Sequence, residues 1–169
     1  MSDDLLTLAR EGRAAPPRLA DKLEAFWDFA QSLAGLSTCK RLQVGCLVTD
    51  AGLTSVLAIG YNGPPKGLPN DGCRAEEGSC GCTHSEANAL VKLQSPERGL
   101  ILLVTTSPCE HCTGLIANCG RIATVIYGDA YRDTAGLQSL KSASIIPVKI
   151  KTLLKVRSRK CVVQPLVGG

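Results

Sequence analysis

Apolar residues recur at helical spacing from Leu19 onward, at Leu23, Phe26, Trp27, Ala30 and Leu33, with Gly35 placed to stop the helix. Before this helix, residues 1–18 mix charges with Ala14, Ala15, Pro16 and Pro17 and read as a flexible N-terminal arm. Residues 44–48 and 55–59 are short β-type runs separated by Asp50-Ala51-Gly52, a hairpin pattern. The stretch 60–82 is rich in Gly, Pro and Asn and has no apolar period, so it reads as a long irregular loop, a feature that compact domains usually keep for function. Helical spacing resumes at His84, Ala87, Leu90 and Val91 and ends near Pro96. A continuous apolar run at 100–105 suits a buried strand, and Pro108 opens a helix through Leu115, Ile116 and Cys119 to Gly120. A buried strand at 122–127, a weak helix across 132–143 and a last strand at 145–150 follow. This order predicts an α/β fold with a mixed five-stranded sheet between helices, spanning 19–150. Residues 151–169 form a basic C-terminal tail with Lys151, Lys155, Arg157, Arg159 and Lys160, open to reading as an extra strand, an interface arm or a solvated end.

Composition narrows the function classes. A chain of 169 residues, 44% hydrophobic and 20% charged, fits one globular domain and excludes wholesale disorder. No apolar run approaches the ~18 residues of a membrane span, and the amino end MSDDLL is acidic where a signal peptide is basic, so a soluble, cytoplasmic protein without a membrane partner is expected. The net charge of +4 suits an anionic small molecule but is mild for a nucleic-acid binder. Aromatics, at 4%, are also too few to stack a run of bases. Nine cysteines amount to about 5%, below the ~8–10% of disulfide scaffolds, and their number is odd, which favours metal binding.

The chemistry concentrates at two helix starts, His84-Ser85-Glu86 and Pro108-Cys109-Glu110-His111-Cys112. Two thiolates two residues apart, with one imidazole, make three ligands for Zn²⁺ and leave a fourth tetrahedral position for water. Glu86 stands two residues beyond His84, close enough to serve that water as a proton shuttle. His111 is expected to face solvent. A lone Cys-x-x-Cys is most often a structural zinc corner or a redox pair, and a lone His-x-Glu carries no message. Together, in this order, they form the pattern of zinc deaminases.

Over residues 36–150 the chain resembles the cytidine and deoxycytidylate deaminases. Beyond the two zinc motifs, the likeness lies in Ser37-Thr38-Cys39, Gln43-Val44-Gly45, Gly60-Tyr61-Asn62-Gly63 with Pro65 and Gly67, and Val125-Ile126-Tyr127-Gly128. The resemblance implies a three-layer α/β/α cytidine-deaminase-like fold, zinc held by His84, Cys109 and Cys112, and Glu86 moving protons while water displaces the C4 amine of dCMP, giving dUMP and ammonia. It places the pyrimidine O2 at the backbone of Ser85, the amine at the carbonyl of Ser107, the ribose hydroxyl at Asn62 and the ring near Tyr131. Arg41 is either a phosphate contact or a surface arginine. Cys39, Cys73, Cys80 and Cys82 are either a second, structural zinc site or reduced thiols, while Cys46, Cys119 and Cys161 read as small hydrophobes. A homo-oligomer, often a hexamer, regulated by dCTP and dTTP is implied too. Gly60, Tyr61, Gly63 and Lys66 would then meet the effector, with Mg²⁺ accompanying its triphosphate.

Two departures from the family pattern bear on the substrate. Ser85 stands where alanine is usual, and the interval from Asn62 to His84 is short, which leaves a modified dCMP or dCTP as alternatives. A base in RNA or single-stranded DNA is a further reading. The reading from another class is a nucleotide-sensing module with purely structural zinc, against which the carboxylate of Glu86 argues.

Overall fold

The computed structural model describes residues 4–76, 80–131 and 134–154. Its sheet runs in the order β2 (Val56–Tyr61), β1 (Gly45–Thr49), β3 (Leu100–Thr106), β4 (Ile122–Asp129), β5 (Ile146–Lys149). β1 pairs antiparallel with β2 and β3, whereas β3, β4 and β5 are mutually parallel, so the sheet is mixed as the alternation of elements predicts. The hairpin between β1 and β2 is closed by Asp50, whose carboxylate accepts from the backbone N–H groups of Gly52, Thr54 and Ser55 at 3.1, 2.8 and 2.6 Å.

The alternation of side chains along the central strands feeds two cores. Leu47, Ile101, Leu103 and Ile126 point to one face, where α2 (Pro17–Ala34) covers them with Leu23, Ala30 and Leu33. Cys46, Val48, Leu102, Val104 and Val125 point to the other, under α3 (Ser85–Leu90), α4 (Glu110–Cys119) and α5 (Ala135–Ser142). The result is the three-layer α/β/α arrangement. Gly120, at φ 65°, ends α4 in the left-handed conformation that glycine adopts freely.

Both ends depart from the expectation. Much of the arm expected to be flexible at 1–18 is ordered: Leu5–Glu11 is helix α1, capped by Asp4, which accepts from Thr7 N at 2.8 Å. Leu5 and Leu8, one turn apart, are buried in the first core, a gain of roughly 1.5–3 kcal/mol each. A two-residue apolar stripe is too short to register as a period. It matters only because β5 and β4 supply the surface that buries it, beside α6 (Ile150–Leu153), whose Ile150 and Leu153 belong to the same core. The expected tail does not begin at 151 either. Leu153 is fully buried, and its carbonyl accepts from Ala15 N at 2.8 Å. Residues 155–169, with Lys155, Arg157, Arg159, Lys160 and Cys161, and Arg132 at the start of the helix expected across 132–143, lie outside the described residues. No helix among the described residues is long and apolar enough to cross a membrane.

Candidate active site

The chain delivers its chemical groups where two helices start beneath the ends of strands. His84 is the N-cap of α3 and Cys109 the N-cap of α4, both in extended conformation, so each side chain leaves its helix at the end rich in free N–H groups. Packing of α3 against α4 brings the two starts together. His84 Nδ1 lies 3.5 Å from Cys109 Sγ and 3.3 Å from Cys112 Sγ. Tetrahedral zinc with Zn–S of about 2.3 Å and Zn–N of about 2.0–2.1 Å requires N···S edges of about 3.5 Å, so this donor set fits the ion without rearrangement. Electrostatics agree with shared ligation. Hydrogen bonds from Cys112 and then from the imidazole hold the Cys109 thiol down to about 3, and the same bond to Cys109 raises Cys112 and His84. His111 is exposed and belongs to no such group.

Glu86 is 4% exposed, and burial raises its carboxyl above the ordinary range. Ser85 Oγ donates to Glu86 Oε2 at 2.9 Å, and that bond opposes the rise. The Ser85 hydroxyl therefore faces the carboxylate.

Glu86, His84, Cys109, Ser85, Ser107, Asn62, Tyr131 and Arg41 all line one cleft of about 420 Å³. Ser107 Oγ accepts from Tyr131 N at 2.8 Å, which ties the strand-to-helix turn to the loop after β4. Asn62 is nearly buried and heavily committed. Its Oδ1 must face the Val44 N–H, at 2.8 Å, and lies 2.7 Å from Ser37 Oγ. Nδ2 gives one hydrogen to Leu42 O at 2.7 Å, leaving its second hydrogen beyond these bonds.

Sequence reasoning missed Thr106, Asp129 and Ala130 in the cleft wall. The signal was available for Asp129: it ends a parallel strand, and ligands of such sheets gather at the carboxyl ends of the strands.

Cys39, Cys73, Cys80 and Cys82 form a second group whose sulfurs all lie within 4.8 Å of one another. Cys73 Sγ is 3.9 Å from Cys39 Sγ, against about 3.8 Å for an S···S edge of tetrahedral zinc. The Cys73 thiol is lowered to about 7, chiefly by the backbone N–H of Lys40. Cys46 is fully buried and Cys119 half-buried against the second core.

The residues expected to meet an effector do not line the cleft. Gly60 is a packing residue, since a Cβ there would sit 2.0 Å from Ser85 O. Gly63 forms a two-residue bridge with Thr83, and the Tyr61 carbonyl accepts from Asn88 Nδ2 at 2.8 Å. Lys66 is exposed.

Fold and site together define a zinc-binding α/β/α protein whose cleft holds a buried carboxylate beside the metal ligands. The chain belongs to the family described as the cytidine and deoxycytidylate deaminase zinc-binding region, whose model matches residues 20–129. Among solved structures it is similar to the dCMP deaminase of cyanophage S-TIM5 in complex with dCMP and dUMP, at 38% identity and a TM-score of 0.66, covering 75% of this chain and 94% of that one. It is 33% identical to the deoxycytidylate deaminase of Saccharomyces cerevisiae over 146 residues, 76% of this chain and 46% of the yeast protein. The deoxycytidylate deaminase of Mycobacterium phage D29 is 34% identical over 122 residues, 62% of this chain and 91% of the phage protein. The chain spans less than half the length of the two yeast relatives that it matches.

Proposed function

We propose that this chain catalyses the hydrolytic deamination of dCMP. Water adds to C4 of the cytosine ring, the C4–N4 bond breaks, and dUMP and ammonia are formed. The observation that carries the reading is the convergence of His84, Cys109 and Cys112 beside the buried carboxylate of Glu86 in one cleft. The likeness to a dCMP deaminase bound to dCMP and dUMP supports the substrate. Zinc held by the three ligands supplies Lewis acidity, which makes water a nucleophile near neutral pH.

The chain's own groups do the rest. Glu86 accepts a proton as water attacks, returns it to N3, and carries the second proton to the departing amine. Burial suits it to both directions of transfer, because a raised carboxyl is a better proton carrier near neutrality. Ser85 Oγ restrains one carboxylate oxygen. Asn62 offers its remaining N–H to the sugar, Ser107 and Tyr131 frame the ring, and the Arg41 guanidinium faces the phosphate.

Ammonia release from the purified chain tests this against dCMP, deoxycytidine, dCTP, 5-substituted dCMP and a cytosine-containing oligonucleotide. Turnover is expected with dCMP far above the others. Turnover confined to the oligonucleotide, or none at all, would overturn the assignment.

In this reading the four thiols Cys39, Cys73, Cys80 and Cys82 hold a second zinc ion, which orders a loop that has few backbone pairs of its own among the described residues. Metal analysis is expected to give about two zinc ions per chain. One per chain, all lost on replacing Cys112, would remove the second site.

A further inference from the structure

We propose that the four-thiol cluster is a positioning device for the substrate phosphate, acting through Arg41. The proposal rests on the deaminase reading above and adds a part for the loop that the reaction itself does not use.

Arg41 lies in the segment between α2 and β1 that has neither helix nor strand. Two tethers bracket it, one residue away on either side, and Ser37 Oγ joins them by accepting from Cys39 N at 3.2 Å and donating to Asn62. On one side Lys40 N donates to Cys73 Sγ at 3.4 Å, and Cys39 Sγ is 3.9 Å from the same sulfur. On the other side Leu42 O accepts from Asn62 Nδ2 at 2.7 Å, and Val44 N donates to Asn62 Oδ1 at 2.8 Å. A backbone held at both neighbours leaves the side chain between them with a defined origin.

That side chain is aimed outward. Arg41 lines the cleft and has no hydrogen-bond or ion-pair partner among the described residues. It is also the one Lys or Arg among the described residues of the cleft wall. An unpaired guanidinium in a cleft shaped for a nucleotide is a bidentate phosphate donor, and its worth depends on how little motion must be frozen when the ligand arrives.

The two tethers differ in durability. Asn62 sits at the end of β2, built into the sheet. Cys73 sits in the loop between β2 and α3, whose backbone bonds among the described residues are few: Gly63 with Thr83, Arg74 N to Cys80 O at 3.0 Å, and two tight turns at Leu68 and Gly72. Lys40 Nζ also donates to Asp71 O of this loop at 3.4 Å, but from an exposed side chain, so the buried sulfur cluster is what holds Lys40 at its backbone. Cys73 itself does not line the cleft, although its partners Cys39, Cys80 and Cys82 do, so its replacement removes no side chain from the wall, and the deoxyuridine arm of the test reads any general change of the wall.

The test is equilibrium binding, by calorimetry, of dUMP and of deoxyuridine to the zinc-loaded full chain, to Cys73→Ser and Cys73→Ala, to Arg41→Ala, and to the Arg41→Ala/Cys73→Ser double variant. Zinc content and melting temperature are measured alongside, and whichever Cys73 variant remains folded decides. The expected result is that the Cys73 variant binds dUMP about tenfold more weakly and deoxyuridine as well as the parent does, with no further loss in the Arg41→Ala background. Unchanged dUMP binding, equal weakening of both ligands, or losses that add to those of Arg41→Ala would overturn the proposal. Failure of the unaltered chain to bind dUMP would instead overturn the deaminase reading.

Discussion

Glu86→Gln is expected to lower dCMP turnover by about 10²–10⁴-fold while leaving zinc content and melting temperature nearly unchanged. The side chain is 4% exposed and shaped into the cleft wall, so an isosteric amide fits the same space. The amide oxygen can still accept from Ser85 Oγ, which holds Glu86 Oε2 at 2.9 Å, so the local bond survives. What disappears is the capacity to take a proton from water and hand it on. Binding of dUMP should persist, because the carboxylate acts on the reacting atoms and not on the phosphate or sugar. Ammonia release and zinc analysis on the same preparation check both halves. A variant that keeps more than about a tenth of the activity would show that another group carries the proton.

Gly60→Ala is expected to damage both stability and turnover, although residue 60 does not line the cleft. A Cβ at this position would lie 2.0 Å from Ser85 O, 2.7 Å from Ala89 N and 3.1 Å from the Ser85 carbonyl carbon. All three are backbone atoms of α3, so no rotamer change relieves the clash. The helix must move, and with it His84 at its cap and Glu86 in its first turn. Overpacking of this kind costs about 3 kcal/mol or more, which for a chain of this size lowers Tm by about 6–12 °C. Turnover should fall with it, because displacing the reacting groups by a fraction of an ångström costs rate. Gly114 gives the control. A Cβ there meets nothing within 4 Å, and the residue sits inside α4, so Gly114→Ala should raise stability by up to about 1 kcal/mol. Equal Tm values for the two variants would refute the close-contact account.

Gly60 also illustrates how the residues of one short motif take different structural parts. The Gly-Tyr-Asn-Gly run stands out in the sequence, and an effector part was expected of it. The structure gives Gly60 to helix packing, Asn62 to the cleft and Gly63 to a bridge with Thr83. β2 ends at Tyr61, so the motif spans a strand end and the loop after it, and its residues meet different neighbours.

The sequence by itself determined the parts whose information is local. A 3.6-residue period located α2, Pro108 and Gly120 bounded α4, and short apolar runs located the strands, because each of these signals lies within a single element. The spacing of His84 to Glu86 and of Cys109 to Cys112 announced the metal chemistry, because each pair lies within one helical turn and its geometry follows from the backbone. Tertiary structure alone decided everything that joins distant segments. It set Cys109 beside His84 from 25 residues away and Cys73 beside Cys39 from 34 residues away. It turned Leu5 and Leu8 from an expected flexible arm into core by laying their helix against β5 and β4. It also brought Asp129 from the end of β4 into the wall that Arg41 and Asn62 share. The physical reason is the same in each case: a side chain's chemistry is fixed by its type, but its partners are fixed by strand order and helix packing, which no single stretch of the chain contains.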